Sequence, residues 1–309
     1  MASDRRNRVA AIDCGTNSIR LLITDISGGS KIDIVREMRI VRLGQDVDKT
    51  GHLADEAIAR TLTATREYAS LIAMLGADRI RFCATSAARD ADNAEEFSDA
   101  VEGIIGIRPE VLTGEEEAHA SFLGAAGDLP VTRTLVADIG GGSTELIVGI
   151  GDVVEWSVSL DIGSVRMTER FLHSDPPTVS EASDCMAFVD SVLDKAVVGL
   201  SPIETFVGVA GTITTVAAHT LDLPSYDSTA THLANLALSN VSNACISLTR
   251  MSVADRRALP YMHTGRADVI GGGALILDRL IEKLPLNTSS MLVSEHDILD
   301  GIAWSLAGQ

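Results

Sequence analysis

The chain has 309 residues, 46% of them hydrophobic, which is enough apolar material for two domains with separate cores. Its formal net charge of −18 argues against nucleic acid as a partner. No apolar run reaches the length of a membrane span, and the opening MASDRRNRVAA lacks the apolar core of a signal peptide, so we expect a cytoplasmic protein without a membrane partner.

The first patterned stretch is AAIDCGTNSIRLLI at residues 10–23. Two apolar runs of strand type flank a polar turn that contains Asn17 and Ser18, with Asp13 at its leading edge. A further apolar run at 31–43 predicts a third strand. The chain is therefore expected to open with a strand, a polar turn and two more strands.

A helix and a strand are predicted next. Residues 55–75 carry apolar side chains at helical spacing and end at Gly76, a common helix stop. Residues 79–84 are typical of a strand, and the polar turn 85–90 follows them. Loops that follow strands are where ligands lie in α/β folds, although this turn also fits a solvated helix start.

The segment LTGEEEA at 112–118 predicts a helix start. Thr113 followed three residues later by Glu116 is a capping box, and acidic residues in a first helical turn favour the helix dipole. These structural roles account for Glu115 and Glu116, but they do not require Glu117. Consecutive helical residues point about 100° apart, so only one or two of the three carboxylates can face a ligand.

A second polar turn lies in VADIGGGSTELIV at residues 136–148. Glycine amides can close on an anion, and the hydroxyls of Ser143 and Thr144 can add donors. The carboxylates at the two edges of the turn, Asp138 and Glu145, could hold a hard cation such as Mg²⁺. A simple tight turn would use the same glycines, Gly140, Gly141 and Gly142, so turn chemistry alone leaves both interpretations open.

The two turns belong to an internal duplication. A shift of 125 residues superposes four pairs: Asp13 on Asp138, Gly15 on Gly140, Ser18 on Ser143 and Leu21 on Leu146. In each copy another apolar run follows, at 31–43 and at 152–160. We therefore expect two similar halves whose Asp-led loops lie on opposite walls of a cleft.

The second half is predicted to begin near residue 132, after a break at 127–130. Its elements, in order, are a loop opening a helix at 163–170, a helix capped by 176–181 and ending near 198, a strand at 205–209, a small-residue turn of Ala210, Gly211 and Thr212, helices at 239–248 and 266–284, and a strand at 290–293. Ser294 with Asp297 is typical of another capping box and predicts a last helix through 307.

The cationic residues are unusually rich in arginine, since lysine occurs only at 31, 49, 195 and 283. Arginine suits bidentate contacts to phosphate, and the arginines inside or beside the motifs are Arg20, Arg89, Arg166 and Arg266. A surface ion pair is the alternative role for each. The four cysteines are scattered singly, which predicts small buried residues in a reducing compartment and an oxygen-ligated metal.

Seven motifs in order resemble the exopolyphosphatase and guanosine pentaphosphate phosphohydrolase family. They are AIDCGTNSIRLLI, ATSAARDADN, LTGEEEA, DIGGGSTE, GSVRMTERF, GVAGTITTVAA and RADVIGGGALIL. The resemblance implies an α/β, actin-like (ribonuclease H-like) duplicated fold in the short two-domain form, with a cleft between two lobes. It implies a first lobe of residues 1–129 completed by the terminal helix 297–309, and a second lobe of residues 130–296.

The resemblance also implies roles for individual residues. Glu117, the Glu immediately before Ala in its motif, is the implied general base, and Arg89 is the implied phosphate-contacting arginine. Asp138 and Glu145 are the expected metal ligands, with Asp13 as a further candidate. The expected phosphate contacts are Asn17, Ser18, Arg20, Arg89, Gly140, Gly141, Gly142, Ser143, Thr144, Gly211 and Thr212.

The expected activity is Mg²⁺-dependent hydrolysis of the terminal phosphate from inorganic polyphosphate. Short chains are the expected substrate, because the family's additional domains are missing after Gln309 and the net charge is −18. Guanosine pentaphosphate 5'-hydrolysis is the alternative substrate assignment. An ATP-dependent kinase or ATPase of the same superfold, and a non-catalytic polyphosphate or alarmone sensor, are further alternatives, and a homodimer is left open.

Overall fold

The computed structural model describes residues 7–126, 129 and 131–307. The chain divides into two compact units, the first made of residues 1–124 and 298–309 and the second of residues 125–297. The predicted boundary at 129–130 adjoins residues 127, 128 and 130, which lie outside the described residues, and it stays a prediction. Among the described residues, no helix combines the length and apolarity needed to cross a membrane.

The first unit is built on a five-stranded mixed sheet in the order β3-β2-β1-β4-β5. Its strands are β1 Asn7–Cys14, β2 Ser18–Ser27, β3 Ser30–Ile40, β4 Arg79–Ala84 and β5 Glu110–Val111. Its helices are α1 Val47–Thr50, α2 Asp55–Leu75, α3 Ser86–Arg89, α4 Ala94–Ile105, α5 Gly114–Ala126 and the C-terminal α13 Ile298–Ser305. Strand β1 runs antiparallel to β2 and parallel to β4.

Strand β1, at the centre of this sheet, is buried on both faces, and its alternate residues belong to two different cores. Ala10 and Ile12 belong to the core that contains Tyr68 of α2 and Phe97 of α4. Val9 and Ala11, which point to the other face, belong to a cluster with Leu299 and Ile302 of α13. The last helix of the chain therefore closes the second face of the first sheet.

The second unit is built on a six-stranded sheet in the order β10-β11-β9-β6-β7-β8. Its strands are β6 Arg133–Ile139, β7 Thr144–Ile150, β8 Val153–Leu160, β9 Thr205–Val209, β10 Asn235–Ala237 and β11 Ser290–Val293. Its helices are α6 Ser164–Phe171, α7 Val179–Ala196, α8 Ala210–Thr220, α9 Ser228–Thr231, α10 Leu238–Arg250, α11 Val253–Ala258 and α12 Ile270–Lys283.

The two units repeat one topology, as the 125-residue shift predicted. In both, the first strand pairs antiparallel with the second and parallel with the fourth, and the third strand pairs antiparallel with the second. Each second strand has a register irregularity at the same place, between Ile23 and Thr24 and between Val148 and Gly149. The duplication therefore extends to the detail of the backbone.

Several predicted elements have the expected bounds, including α2, β4, β9 and β11. Helix α2 ends at Gly76, whose φ of 70° is the left-handed conformation that glycine adopts without strain. All four cysteines are buried free thiols, as predicted. Burial raises the pKa of Cys83 and of Cys185 to about 12, so neither thiol ionises readily.

Three predicted elements were wrong in part. The sequence 210–212 is the first turn of α8 and not a separate connection, because the chain turns sharply at Ala210, with φ 68°, and enters the helix at once. Helix α12 begins at Ile270, since residues 264–269 form turns. The last helix begins at Ile298, because the Ser294 hydroxyl hydrogen-bonds the backbone of His296 instead of capping a helix.

Candidate functional site

The β6–β7 hairpin brings the two carboxylates of the glycine turn together. Asp138 on β6 lies directly opposite Glu145 on β7. Side chains at directly opposed positions have Cβ atoms about 4.5–5.5 Å apart and lie on one face of the sheet. Both residues are buried, with Asp138 6% and Glu145 1% exposed. Two ionised carboxylates this close repel one another, so a bound cation would stabilise the pair.

The glycine turn itself is fixed from behind by the start of α6. The amide of Ser164 donates to the carbonyl of Gly140 at 2.9 Å, and the amide of Val165 donates to the carbonyl of Gly141 at 2.9 Å. Arg166 completes the set, because its Nε donates to the carbonyl of Gly142 at 2.8 Å. The carbonyls of all three glycines are therefore engaged by α6, which leaves the turn rigid before any ligand binds.

Gly163, at the N-terminal cap of α6, allows this close approach. A Cβ atom at residue 163 would lie 2.3 Å from the carbonyl oxygen of Gly141 and 2.5 Å from the carbonyl carbon of Gly142. No side chain fits there without displacing the turn. Its position in GSVRMTERF was a motif signal, but the sequence did not show what the glycine contacts.

Thr144 and Ser143 both help to hold the turn, the first through its hydroxyl and the second through its carbonyl. Thr144 donates its hydroxyl hydrogen to the carbonyl of Ile162 in a short hydrogen bond, so this hydroxyl is used to hold the loop before α6. It therefore has no hydrogen left to donate to a phosphate, whereas its predicted role had counted on that donor. Ser143 is buried in the turn, and its carbonyl accepts from the amide of Gly140 at 3.0 Å.

The first hairpin has the same turn but a different pair of side chains. The amide of Gly15 donates to the carbonyl of Ser18 at 2.9 Å, as Gly140 does in the second unit. Asp13 lies opposite Arg20, whose Nε and Nη2 atoms donate to Asp13 Oδ2 at 2.8 and 2.6 Å. Asp13, a candidate metal ligand, is therefore held in an ion pair with a candidate phosphate contact.

Asn17 fixes the same turn through its backbone. Its carbonyl accepts hydrogen bonds from the amides of Val41 and Arg42 at 3.1 and 2.9 Å. Beside it, the Thr16 hydroxyl hydrogen-bonds the Ser86 hydroxyl at 2.9 Å, and both side chains are buried. Thr16 was not among the predicted site residues, and its position next to Gly15 was the available signal in the sequence.

Glu117 lies in the first turn of α5, where it is 8% exposed and paired with Arg89. Arg89 Nη1 donates to Glu117 Oε2 at 3.0 Å and to the carbonyl of Leu112 at 2.8 Å. The structure thus brings together the implied general base and the implied phosphate-contacting arginine. A hydrogen bond from a guanidinium favours the ionised carboxylate, which is the form that accepts a proton.

The neighbouring Glu116 has the structural role that the capping-box pattern predicted. Its Oε2 accepts from the backbone amide and the hydroxyl of Thr113, both at 2.8 Å, and its own amide donates to the Thr113 hydroxyl at 3.2 Å. Hydrogen bonds from Thr113 lower the pKa of Glu116 below its usual value. The cap therefore occupies Glu116 and leaves Glu117 for a different task.

Gly211 and Thr212 lie at the start of α8 and pack against two neighbours. A Cβ atom at Gly211 would meet the guanidinium carbon of Arg266 at 2.4 Å, so only glycine lets the Arg266 side chain lie there. A Cβ atom at Gly273 would lie only 2.6 Å from the methyl group of Thr212, so glycine at 273 leaves room for the threonine. Glycines therefore produce close packing around α8, and the sequence motifs containing them meet in this part of the second unit.

The side chains present limit where a metal ion could bind. Within residues 7–126, 129 and 131–307, no group of three or more His, Cys, Asp and Glu side chains could hold a metal ion. Mg²⁺ does not need such a cage, because it is usually bound by one or two carboxylates and completes its shell with water and substrate phosphate. The opposed oxygen ligands of Asp138 and Glu145 fit that requirement, and the ion-paired Asp13 fits it less well.

Comparisons with known proteins give a consistent result. Residues 20–308 match the family model described as the Ppx/GppA phosphatase family. Exopolyphosphatase 2 of Mycobacterium tuberculosis is 49% identical, over 97% of this chain and 99% of the relative. The solved structure of a Ppx/GppA enzyme of Aquifex aeolicus is 35% identical with a TM-score of 0.82, and the alignment covers 96% of this chain and 99% of that one.

A more distant solved structure is also similar. It is an exopolyphosphatase from Cytophaga hutchinsonii, 26% identical with a TM-score of 0.89, and the alignment covers 97% of this chain and 98% of that one. These likenesses, together with the two repeated sheets, confirm the α/β class and the duplicated actin-like fold predicted from the sequence.

Proposed function

The chain belongs to the Ppx/GppA phosphatase family, and from this membership we propose that it is an exopolyphosphatase that hydrolyses the terminal phosphoanhydride bond of inorganic polyphosphate. The relative from Mycobacterium tuberculosis, which is named exopolyphosphatase 2, supports this substrate class. Among the structural observations, the proposal depends most on the buried carboxylate pair Asp138 and Glu145 at the edges of a rigid glycine turn.

Phosphoryl transfer asks little covalent chemistry of a protein, because positioning and charge neutralisation carry most of the catalysis. Glu117 accepts the proton of the attacking water as general base. Arg89 holds the Glu117 carboxylate in one orientation and favours its ionised form through the 3.0 Å hydrogen bond. General-base catalysis of this kind contributes roughly 10²–10⁴-fold to a rate.

Asp138 and Glu145 are the residues that would hold Mg²⁺, and their oxygen donors suit this hard cation. When bound, Mg²⁺ would neutralise charge on the phosphate oxygens. The amides of Gly141 and Gly142 bind phosphate oxygens, since the carbonyls of these glycines already face hydrogen-bond donors of α6. The amide of Gly140, also predicted to contact phosphate, instead closes the turn by donating to the carbonyl of Ser143. In the first unit, Asn17, Ser18 and Arg20 serve as further phosphate contacts.

The preferred substrate is a short polyphosphate. The net charge of −18 repels a long polyanion, and the few arginines of the motifs can pair only with phosphates near the cut, so the rest of a long chain would face an acidic protein. Repulsion between exposed charges is screened by salt, so raised ionic strength increases the use of longer chains. We place the protein in the cytoplasm, where its buried thiols stay reduced.

The test is phosphate release in the presence of Mg²⁺ from three substrates measured side by side: short polyphosphate, long polyphosphate and guanosine pentaphosphate. Release that is fastest from short polyphosphate supports the proposal. Release from guanosine pentaphosphate alone would assign the other substrate of the family, and binding of either anion without release would make the protein a sensor. ATP-dependent phosphorylation of a small acceptor would overturn hydrolysis altogether.

A further inference from the structure

Three polar or charged side chains form a row across β6, β7 and β8. Asp138 on β6 lies opposite Glu145 on β7, and Glu145 lies opposite Ser159 on β8. The Ser159 hydroxyl donates a hydrogen bond to Glu145 Oε1 at 2.7 Å. Glu145 is 1% exposed, so this hydrogen bond is formed in surroundings of low dielectric, where its strength is large.

The equivalent row in the first unit has different chemistry. Asp13 on β1 lies opposite Arg20 on β2, and Arg20 lies opposite Met38 on β3. Methionine offers no hydrogen to donate, and the arginine before it needs none. The hydroxyl donor therefore occurs in the copy whose middle residue is a carboxylate, which indicates that it serves that carboxylate.

We propose that Ser159 is a positioning residue for Glu145, an inference that rests on the proposed function because it assumes that Asp138 and Glu145 hold the cation. Its hydrogen bond fixes the rotation of the Glu145 carboxylate, so the carboxylate oxygens are oriented before a cation binds. Carboxylates that bind metals are commonly held by such hydrogen bonds, and their loss costs roughly 10-fold to 100-fold in metal affinity.

The experiment measures Mn²⁺ binding without substrate, from the electron paramagnetic resonance signal of free Mn²⁺. Ser159→Ala should raise the Kd for Mn²⁺ about 10-fold, at the lower end of the range for such outer contacts. It should also raise the Mg²⁺ concentration needed for half-maximal activity while leaving kcat at saturating Mg²⁺ close to that of the parent. Ser159→Thr, which keeps the hydroxyl, should restore both quantities.

Ser157 provides the matched control, because it lies on the same face of β8 but opposite Ile147. Ser157→Ala should leave the Kd for Mn²⁺ unchanged. Ser159→Cys keeps the side-chain volume with only a weak donor, so it should weaken binding like alanine, and it serves as the test if alanine disturbs β8.

Two results would overturn the proposal. One is a Kd for Mn²⁺ in Ser159→Ala within about twofold of the parent, against the 10-fold expectation. The other is a loss in Ser159→Thr as large as that in Ser159→Ala. Glu145→Gln separates this failure from failure of the proposed function. If Glu145→Gln weakens Mn²⁺ binding and Ser159→Ala does not, the positioning role alone is wrong, whereas if neither variant weakens it, the metal site is wrong.

Discussion

The β1–β2 and β6–β7 hairpins have the same backbone arrangement but carry different charges opposite the aspartate of each turn. In each, an aspartate lies near the end of the first strand, and the same amide-to-carbonyl hydrogen bond closes the turn. In each unit, the second strand also pairs with the third through a register irregularity at the equivalent place. The residue opposite the aspartate differs. Arg20 neutralises Asp13 within the first hairpin, whereas Glu145 faces Asp138 in the second.

A single cross-strand position thus decides what the hairpin can bind. In the first copy the protein supplies the cation itself, as a guanidinium. In the second copy two buried carboxylates face one another, and a bound metal ion would reduce the repulsion between them. The duplication has therefore kept the scaffold while changing the charge at one residue, which makes the second hairpin the better candidate for the metal.

The largest effect should come from Glu117, which belongs to neither hairpin. Glu117→Gln removes the general base without removing a phosphate donor or a metal ligand, so the rate should fall roughly 10²–10⁴-fold while substrate binding is retained. Glu116→Gln is the matched control and should act mainly on stability through the cap at Thr113. Activity of Glu117→Gln within about twofold of the parent, against that general-base expectation, would falsify the assignment.

The metal requirement should separate the two hairpins next. Asp138→Asn and Glu145→Gln each weaken an oxygen site for a hard cation, so the Mg²⁺ concentration for half-maximal activity should rise by at least roughly 10-fold to 100-fold, the range seen even for outer contacts. Asp13→Asn should leave the Mg²⁺ titration nearly unchanged. If both second-hairpin variants titrate like the parent, the metal lies elsewhere, and Asp13 becomes the next candidate.

The glycines behind the two turns should also differ in their tolerance of a methyl group. At Gly163 a Cβ would meet backbone atoms of Gly141 at 2.3 Å, whereas at Gly44 it would meet mainly the side chain of Thr16 at 2.5 Å. Backbone cannot give way as a side chain can, so Gly163→Ala should cost about 1–3 kcal/mol of unfolding free energy, and Gly44→Ala should cost less. Urea unfolding of both variants measures the difference, and equal costs would contradict the argument.

The last variant concerns the stability of the first unit alone and changes the buried Asp300 of α13. Burial would raise its pKa, but Arg36 and Lys31 outweigh burial and lower the pKa to about 2, from an ordinary 3.8. The ion pairs of Asp300 with Arg36 and Lys31 should therefore contribute about 2 kcal/mol to the free energy of unfolding above pH 4, and this contribution should be lost as the pH falls toward 2. Asp300→Asn should be less stable at pH 7 and should lose less stability over that range. Parallel pH profiles of parent and variant would contradict this role.

Sequence patterns predicted the repeated hairpins, the long helix α2 and the cap at Glu116, because periodicity and local turn chemistry decide these features. They did not predict that Arg20 pairs with Asp13 or that Ser159 holds Glu145, since such pairs depend on strand register. Counting residues out from the turn would have given the Asp13–Arg20 pair. It would have placed Val158 opposite Glu145, because the register shift between Val148 and Gly149 is what brings Ser159 there. The start of α8 at Ala210 could not be predicted from the sequence. Ala210 has a φ of 68°, and a residue other than glycine adopts this conformation only where its tertiary surroundings impose it.

The most direct test of the metal assignment moves the charge of one hairpin into the other. Glu145→Arg places the arginine of the first hairpin opposite Asp138, and Mn²⁺ binding is then measured by electron paramagnetic resonance beside the parent and Asp13→Asn. We predict that Glu145→Arg abolishes Mn²⁺ binding, while Asp13→Asn binds like the parent. Retained binding in a folded Glu145→Arg protein, with loss in Asp13→Asn, would contradict the account and place the cation in the first hairpin.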